Sequence, residues 1–164
     1  MPESLTDLAA RLQELAIARG VTVATAESCT GGNIARQITS QSGSSSYFLG
    51  GVVSYANDVK HRVLGVPETI LDNPGAVSEP CARAMAEGAR ALIGTDIAVS
   101  TTGIAGPDGG TARKPVGLVY IGLATASETI VEERVFPGDR AAVIEAATVR
   151  ALELLLHAAS SNVA

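Results

Sequence analysis

The chain has 164 residues, 46% hydrophobic and 18% charged, which is enough apolar side chain for a real core and argues against disorder. Twelve Lys and Arg against 17 Asp and Glu leave a net charge of −5, which speaks against a nucleic-acid binder, whose affinity draws on clustered positive charge. No apolar run approaches the roughly 18 residues that suggest a membrane span, and the acidic start Met1-Pro2-Glu3-Ser4 is unlike a basic leader. A cytoplasmic protein of one domain over residues 1–164, with neither nucleic-acid nor membrane partners, is expected.

Leu5, Leu8, Leu12 and Leu15 step by three and four and predict an amphipathic helix over about residues 3–19, stopped at Gly20. The β-branched run at 21–26 reads as a buried strand. After Glu27-Ser28-Cys29-Thr30-Gly31-Gly32 comes a second helix carrying Ile34, Ala35 and Ile38, then a loop at 43–46. A strand is expected over 48–54, where Gly50-Gly51 suggests a bulge or a close backbone approach. A helix over 57–64 is broken at Val66-Pro67. Ser78-Glu79-Pro80 places a capping hydroxyl ahead of a proline and starts an Ala-rich helix to about 93. A strand at 96–102, a Gly/Pro loop at 103–115, a hairpin of 116–126 with 129–136, and a helix from Asp139 complete the chain. The order α-β-α-β-α-β-β-β-α predicts a three-layer α/β/α sandwich with a mixed sheet.

Scarcity narrows the chemistry. The chain has two Cys (Cys29, Cys81), two His (His61, His157) and two Lys (Lys60, Lys114), and aromatics are 3%. The isolated Cys and His lack metal-ligand spacing, so no metal site and no cofactor is expected. Both Cys read as small core residues, and His157 as structural or exposed. Hydroxyls, carboxylates, Lys or Arg must run any reaction.

Three loops carry more chemistry than connectors need. In Ala26-Glu27-Ser28-Cys29-Thr30-Gly31-Gly32 a hydroxyl sits near a helix N-terminus, where free N–H groups favour negative charge. That suits a serine nucleophile with an oxyanion site, a phosphate cradle, or an ordinary cap with a tight turn. In the second segment, 55–60, a frayed first turn would bring Tyr55 and Lys60 toward one site. Lys60 could serve as base for a serine if burial or the adjacent His61 and Arg62 depressed its pKa. The third, Thr101-Thr102-Gly103-Ile104-Ala105-Gly106-Pro107-Asp108-Gly109-Gly110, leaves the carboxyl end of a strand, where open α/β sheets bind ligands. Pro137-Gly138-Asp139-Arg140 adds an Arg suited to phosphate at another helix start.

Together these loops resemble the CinA family, in the form of its stand-alone C-terminal domain, the nicotinamide mononucleotide deamidases. The matching residues are Ala26-Glu27-Ser28-Cys29-Thr30-Gly31-Gly32, Gly43-Ser44-Ser45 with Phe48, and Tyr55 with Asn57 and Lys60. They continue with Gly75-Ala76-Val77-Ser78-Glu79, Gly103-Ile104-Ala105-Gly106-Pro107 with Gly109-Gly110, Lys114-Pro115-Val116-Gly117, and Phe136-Pro137-Gly138-Asp139-Arg140. Seven motifs in order span about residues 5–157. No part of the chain matches the additional N-terminal domain of full-length CinA proteins, so any pyrophosphatase activity of that domain is not implied.

The resemblance implies hydrolysis of nicotinamide mononucleotide to nicotinate mononucleotide and ammonia. By that analogy Ser28 is the nucleophile, Lys60 and Tyr55 activate it, and Ser45 is the alternative nucleophile. Backbone N–H groups near Gly31-Gly32, or in the 43–46 loop, would hold the oxyanion. Thr30, Gly31, Gly32, Ser45, Asn57, Thr102, Gly103, Gly106 and Arg140 would bind substrate, with Arg140 on its phosphate. The rival reading is a regulatory module that binds a nucleotide without turnover; an exposed, salt-bridged Lys60 would favour it. A homo-oligomer, by default a dimer, is expected.

Overall fold

The computed structural model describes residues 3–161; Met1 and Pro2, half of the start weighed against a leader, lie outside them. Helix α1 spans Leu5–Arg19, with the Ser4 hydroxyl accepting the Asp7 N–H at 3.1 Å and Gly20 turning left-handed at φ 67°. The Val21 N–H still bonds back to the Ala16 carbonyl at 2.9 Å, closing the helix end. That is why strand β1, Val23–Glu27, starts two residues later than the β-branched run predicts.

Next come α2 (Asn33–Thr39), a 3₁₀ turn (Ser44–Ser46), β2 (Phe48–Val53) and α3 (Asn57–Leu64). Helix α3 ends as expected at Leu64, but its stop is the left-handed Gly65 at φ 73° and not Val66-Pro67; Pro67 instead opens a short helix that the sequence reading lacked, α4 (Glu68–Asp72). A proline with φ fixed near helical values suits the start of a helix. Helix α5 (Glu79–Ile93) starts at the expected cap, where the Ser78 hydroxyl accepts the Cys81 N–H at 3.3 Å. Strands β3 (Ile97–Gly103), β4 (Leu118–Ala124) and β5 (Thr129–Val135) precede α6 (Arg140–Ser160), which Asp139 caps through Ala142. Three helices thus lie between β2 and β3: the two expected over 57–64 and to about 93, and α4 between them.

The five strands run in the order β2-β1-β3-β4-β5. β1 pairs parallel with β2 and β3, whereas β3-β4 and β4-β5 are antiparallel, so the sheet is mixed as predicted. Register slips at the start of β2: Val23 faces Phe48 but Ala24 faces Gly50, leaving Leu49 as the extra residue. Gly51 then lies against the Thr25 side chain, too close for any Cβ, whereas a Cβ on Gly50 would meet only Ile93 at an ordinary contact distance.

One face of the sheet packs Leu8, Leu12, Ile34, Ile38, Leu152 and Leu155 from α1, α2 and α6. The other face packs Cys81, Met85 and Ala89 of α5 with Leu64 of α3. This is the three-layer α/β/α sandwich. The chain leaves β1 for α2 on one face and enters β3 from α5 on the other, so a crevice forms beyond the carboxyl ends of these neighbouring parallel strands, at the switch point of the sheet. Ser28 follows β1 there, and Gly103 ends β3.

Candidate active site

The Ser28 turn is held from several sides. The Ser28 N–H donates to the Thr101 carbonyl at 3.0 Å, and the Gly31 N–H returns to the Ser28 carbonyl at 3.0 Å. Helix α2 then begins at Gly32, a left-handed residue with φ 100° and no side chain to cap the helix. The cap comes from upstream: the Glu27 carboxylate accepts Ile34 N–H at 2.9 Å, Ala35 N–H at 3.0 Å and the Thr30 hydroxyl at 2.6 Å. This corrects the expectation that Thr30, Gly31 and Gly32 cradle substrate. The end of α2 is already filled by a carboxylate of the chain itself, and Thr30 is buried beneath the turn. The N–H groups of Cys29 and Thr30 find no backbone acceptor and follow Ser28 directly, where an oxyanion site forms after a nucleophile at a strand-to-helix turn.

Lys60 rises from α3 into the same place. It is 1% exposed, and its Nζ donates to Ser28 Oγ at 2.9 Å, to the Ser54 carbonyl at 2.8 Å and to the Tyr55 carbonyl at 3.0 Å. Burial, which penalises the ammonium form, lowers its pKa from the ordinary lysine value of 10.5. The anticipated cationic neighbours play no part: Arg62 pairs with Asp58 at 2.8 Å, and His61 Nδ1 meets the Val66 carbonyl at 2.8 Å. Cys29, beside Ser28, is no competing nucleophile, because burial pushes its thiol up to about 12.

Tyr55, expected to position Lys60 or to relay its proton, does only the first. Its carbonyl holds Lys60, but the residue is 62% exposed and its hydroxyl accepts from Arg140 Nη2 at 3.1 Å. It therefore relays no proton between Lys60 and Ser28. Arg140 Nη1 donates to the Gly106 carbonyl at 2.7 Å, so Gly106 anchors the guanidinium rather than lining the site. A cavity of about 240 Å³ joins Ser28, Lys60, Tyr55, Asn57, Thr102, Gly103 and Arg140, with no Asp or Glu in its wall. The Thr102 hydroxyl is spent on the Ala76 carbonyl at 2.8 Å.

Ser45 is not brought in. It lies in the 3₁₀ turn before β2, whose Phe48 pairs with Val23 at the start of parallel β1, whereas Ser28 follows the end of β1. Five residues of strand, roughly 15 Å, separate the two levels. The same register removes the 43–46 loop as an oxyanion site. Sequence reasoning missed Ser54 as an acceptor for Lys60, because a carbonyl's partner leaves no mark on residue type. It also assigned no role to Ala76 and Val77, which wall the cavity, although both stand in a motif it quoted. Cys81 is buried and His157 exposed, as expected. Among the described residues no group of His, Cys, Asp or Glu could hold a metal ion, and no helix is long and apolar enough to cross a membrane.

Comparison with known proteins agrees with this architecture. Residues 5–159 match the CinA C-terminal domain. A CinA-like protein of Geobacter sulfurreducens is 53% identical over 137 residues, covering 84% of this chain and 33% of that protein. A CinA-like protein of Leptospira interrogans serovar Lai is 48% identical over 157 residues, covering 95% and 38%. The chain thus spans about a third of the length of the curated relatives it matches. Among solved structures, the competence/damage inducible protein CihA from Agrobacterium tumefaciens superposes with a TM-score of 0.92 at 40% identity, covering 96% of each chain. A CinA superfamily protein from Klebsiella pneumoniae gives 0.92 at 34%, covering 96% of this chain and 99% of that one. A family match across nearly the whole sequence, with the same fold at these identities, places the chain in the CinA C-terminal domain family.

Proposed function

We propose that this domain is an amidohydrolase that converts nicotinamide mononucleotide to nicotinate mononucleotide and ammonia, with Ser28 as nucleophile and Lys60 as its base. The observation that carries the reading is the buried Lys60 amine 2.9 Å from the Ser28 hydroxyl. A neutral amine has two hydrogens and one lone pair. The carbonyls of Ser54 and Tyr55 accept the two hydrogens, so the lone pair turns to Ser28. A module that only binds a nucleotide has no need of a desolvated amine on a serine.

Ser28 Oγ attacks the carboxamide carbon while its proton passes to Lys60 Nζ. The Cys29 N–H, next to the nucleophile in the cavity wall, is assigned to the developing oxyanion. Lys60 then gives the proton to the departing nitrogen, and ammonia leaves a nicotinoyl ester on Ser28. A water molecule, deprotonated by Lys60, attacks that ester; Ser28 recovers the proton and the carboxylate product is released. Arg140 stands at the same cavity with a planar fork suited to the mononucleotide phosphate, and the carboxylate-free wall does not oppose that charge. Purified protein treated with EDTA is expected to release ammonia from nicotinamide mononucleotide with stoichiometric nicotinate mononucleotide. Binding of the mononucleotide without release would overturn the reading in favour of the regulatory module.

In this scheme Tyr55 serves Arg140 and not the proton. Tyr55→Phe is expected to raise KM for the mononucleotide about fivefold, the worth of one charge-assisted hydrogen bond at an exposed site, with kcat within about twofold. A fall in kcat at unchanged KM would return Tyr55 to the proton path.

A further inference from the structure

We propose that Glu27 is the positioning residue that aligns Ser28 with Lys60, an assignment that rests on the amide-hydrolysis reading of the same site. Glu27 is 1% exposed and does not line the cavity. Its two ends nevertheless reach both halves of the reacting pair. The carboxylate gathers the Thr30 hydroxyl and the N–H groups of Ile34 and Ala35, which fixes the far side of the Ser28 turn to the end of β1. Its main-chain carbonyl accepts the Ser54 N–H at 2.8 Å, and the Ser54 carbonyl in turn accepts Lys60 Nζ at 2.8 Å. One residue therefore sets where the nucleophile's turn lies and where the base's acceptor lies.

A hydroxyl chain braces the same point. Thr30 gives its proton to Glu27, so in its 2.7 Å contact with Thr101 it is Thr101 that donates. Thr101 also supplies the carbonyl that holds the Ser28 N–H. With Gly32 at the helix cap, no side chain of α2 can replace Glu27 in this network. The carboxylate also closes the α2 N-terminus to a ligand anion, leaving substrate phosphate to Arg140. Gln at this position keeps the shape but turns an NH₂ group toward an N–H that needs an acceptor.

The test measures Ser28 directly, independent of the natural substrate, by the rate at which a small arylsulfonyl fluoride adds to the protein, followed by intact mass. Wild type is expected to take one label at Ser28, and Ser28→Ala none. Folded Glu27→Gln is expected to label about a hundredfold more slowly, the cost of an ångström-scale misplacement of a reacting group. Thr30→Val, which removes one of the three donors with little change of shape, is expected to label about tenfold more slowly. In mononucleotide turnover both variants are expected to lose kcat with KM within about twofold, whereas a merely structural role lowers the melting temperature and leaves kcat per folded molecule intact. Wild-type labelling rates in either folded variant overturn the proposal, and Thr30→Val decides it alone if Glu27→Gln does not fold. If wild type labels at Ser28 but releases no ammonia, the substrate reading falls and the Glu27 assignment stands on the labelling rates. If wild type does not label, Ser28 is no activated nucleophile and both fall together.

Discussion

Lys60→Met is expected to lower kcat for mononucleotide deamidation about a thousandfold, within the span that positioned general acid–base groups contribute. Methionine has nearly the length of lysine and suits a site with 1% exposure, so the loss reflects the missing base rather than a collapsed pocket. Ser28→Ala is expected to reach the same floor, and the double variant to go no lower, because nucleophile and base act as one unit. The pH profile gives the sign. Burial penalises only the charged amine, so Lys60 sheds its proton below the ordinary lysine value of 10.5. Wild-type kcat/KM should rise with pH as the neutral amine forms and level off below that value, and the Met variant should lack this limb.

The same shift makes a stability prediction. Between the lowered folded-state pKa and 10.5 the unfolded chain holds the extra proton, so unfolding free energy should rise with pH across that window. Urea titrations check it as the difference between wild type and Lys60→Met, which should grow with pH, because the raised Cys29 and Cys81 thiols pull the stability of both proteins down above pH 9. Activity of Lys60→Met within tenfold of wild type would remove Lys60 from the mechanism.

Gly88→Ala is expected to destabilise the fold by about 3 kcal/mol, the upper end of the usual cost of overpacking. Helix propensity alone predicts the opposite, because alanine in place of a mid-helix glycine gains about 1 kcal/mol. Packing decides it. Gly88 lies within α5, and a Cβ there would be driven into the Leu64 carbonyl, with the Leu64 carbonyl carbon at 2.9 Å and its Cα at 3.2 Å. All three atoms are backbone, so relief requires α3 to move as a body. That helix carries Lys60 one turn before Leu64, so kcat should fall along with stability. Urea unfolding and turnover on the same preparation test both consequences. A variant as stable and as active as wild type would mean that α3 shifts freely and that this packing does not place the base.

What the sequence by itself determined is local. Leucines at steps of three and four, a serine before Glu79-Pro80, and an aspartate before Arg140 mark helices and their starts, because capping and helical periodicity depend on near neighbours. A charge-poor β-branched run marks a strand buried on both faces. The order of these elements, with a resemblance spanning the chain, pointed to the sandwich, to the Ser28 turn and to one of two lysines as the candidate base.

What tertiary structure decided is direction and level. Ser28 and Lys60 are 32 positions apart, and they meet only because the Ser54 and Tyr55 carbonyls draw the amine inward. Ser45 and Ser28 both stand in polar glycine-containing loops, yet the parallel register of β1 and β2 sends one to each end of the sheet. Tyr55 offers its carbonyl to Lys60 and its hydroxyl to Arg140, a division that residue type does not reveal. The α2 N-terminus, inviting to an anion by sequence, is filled from within by Glu27. Lys60 and Glu27 are buried polar groups whose hydrogen bonds had to be met inside the protein, and which atoms meet them was decided by the fold and not by residue type.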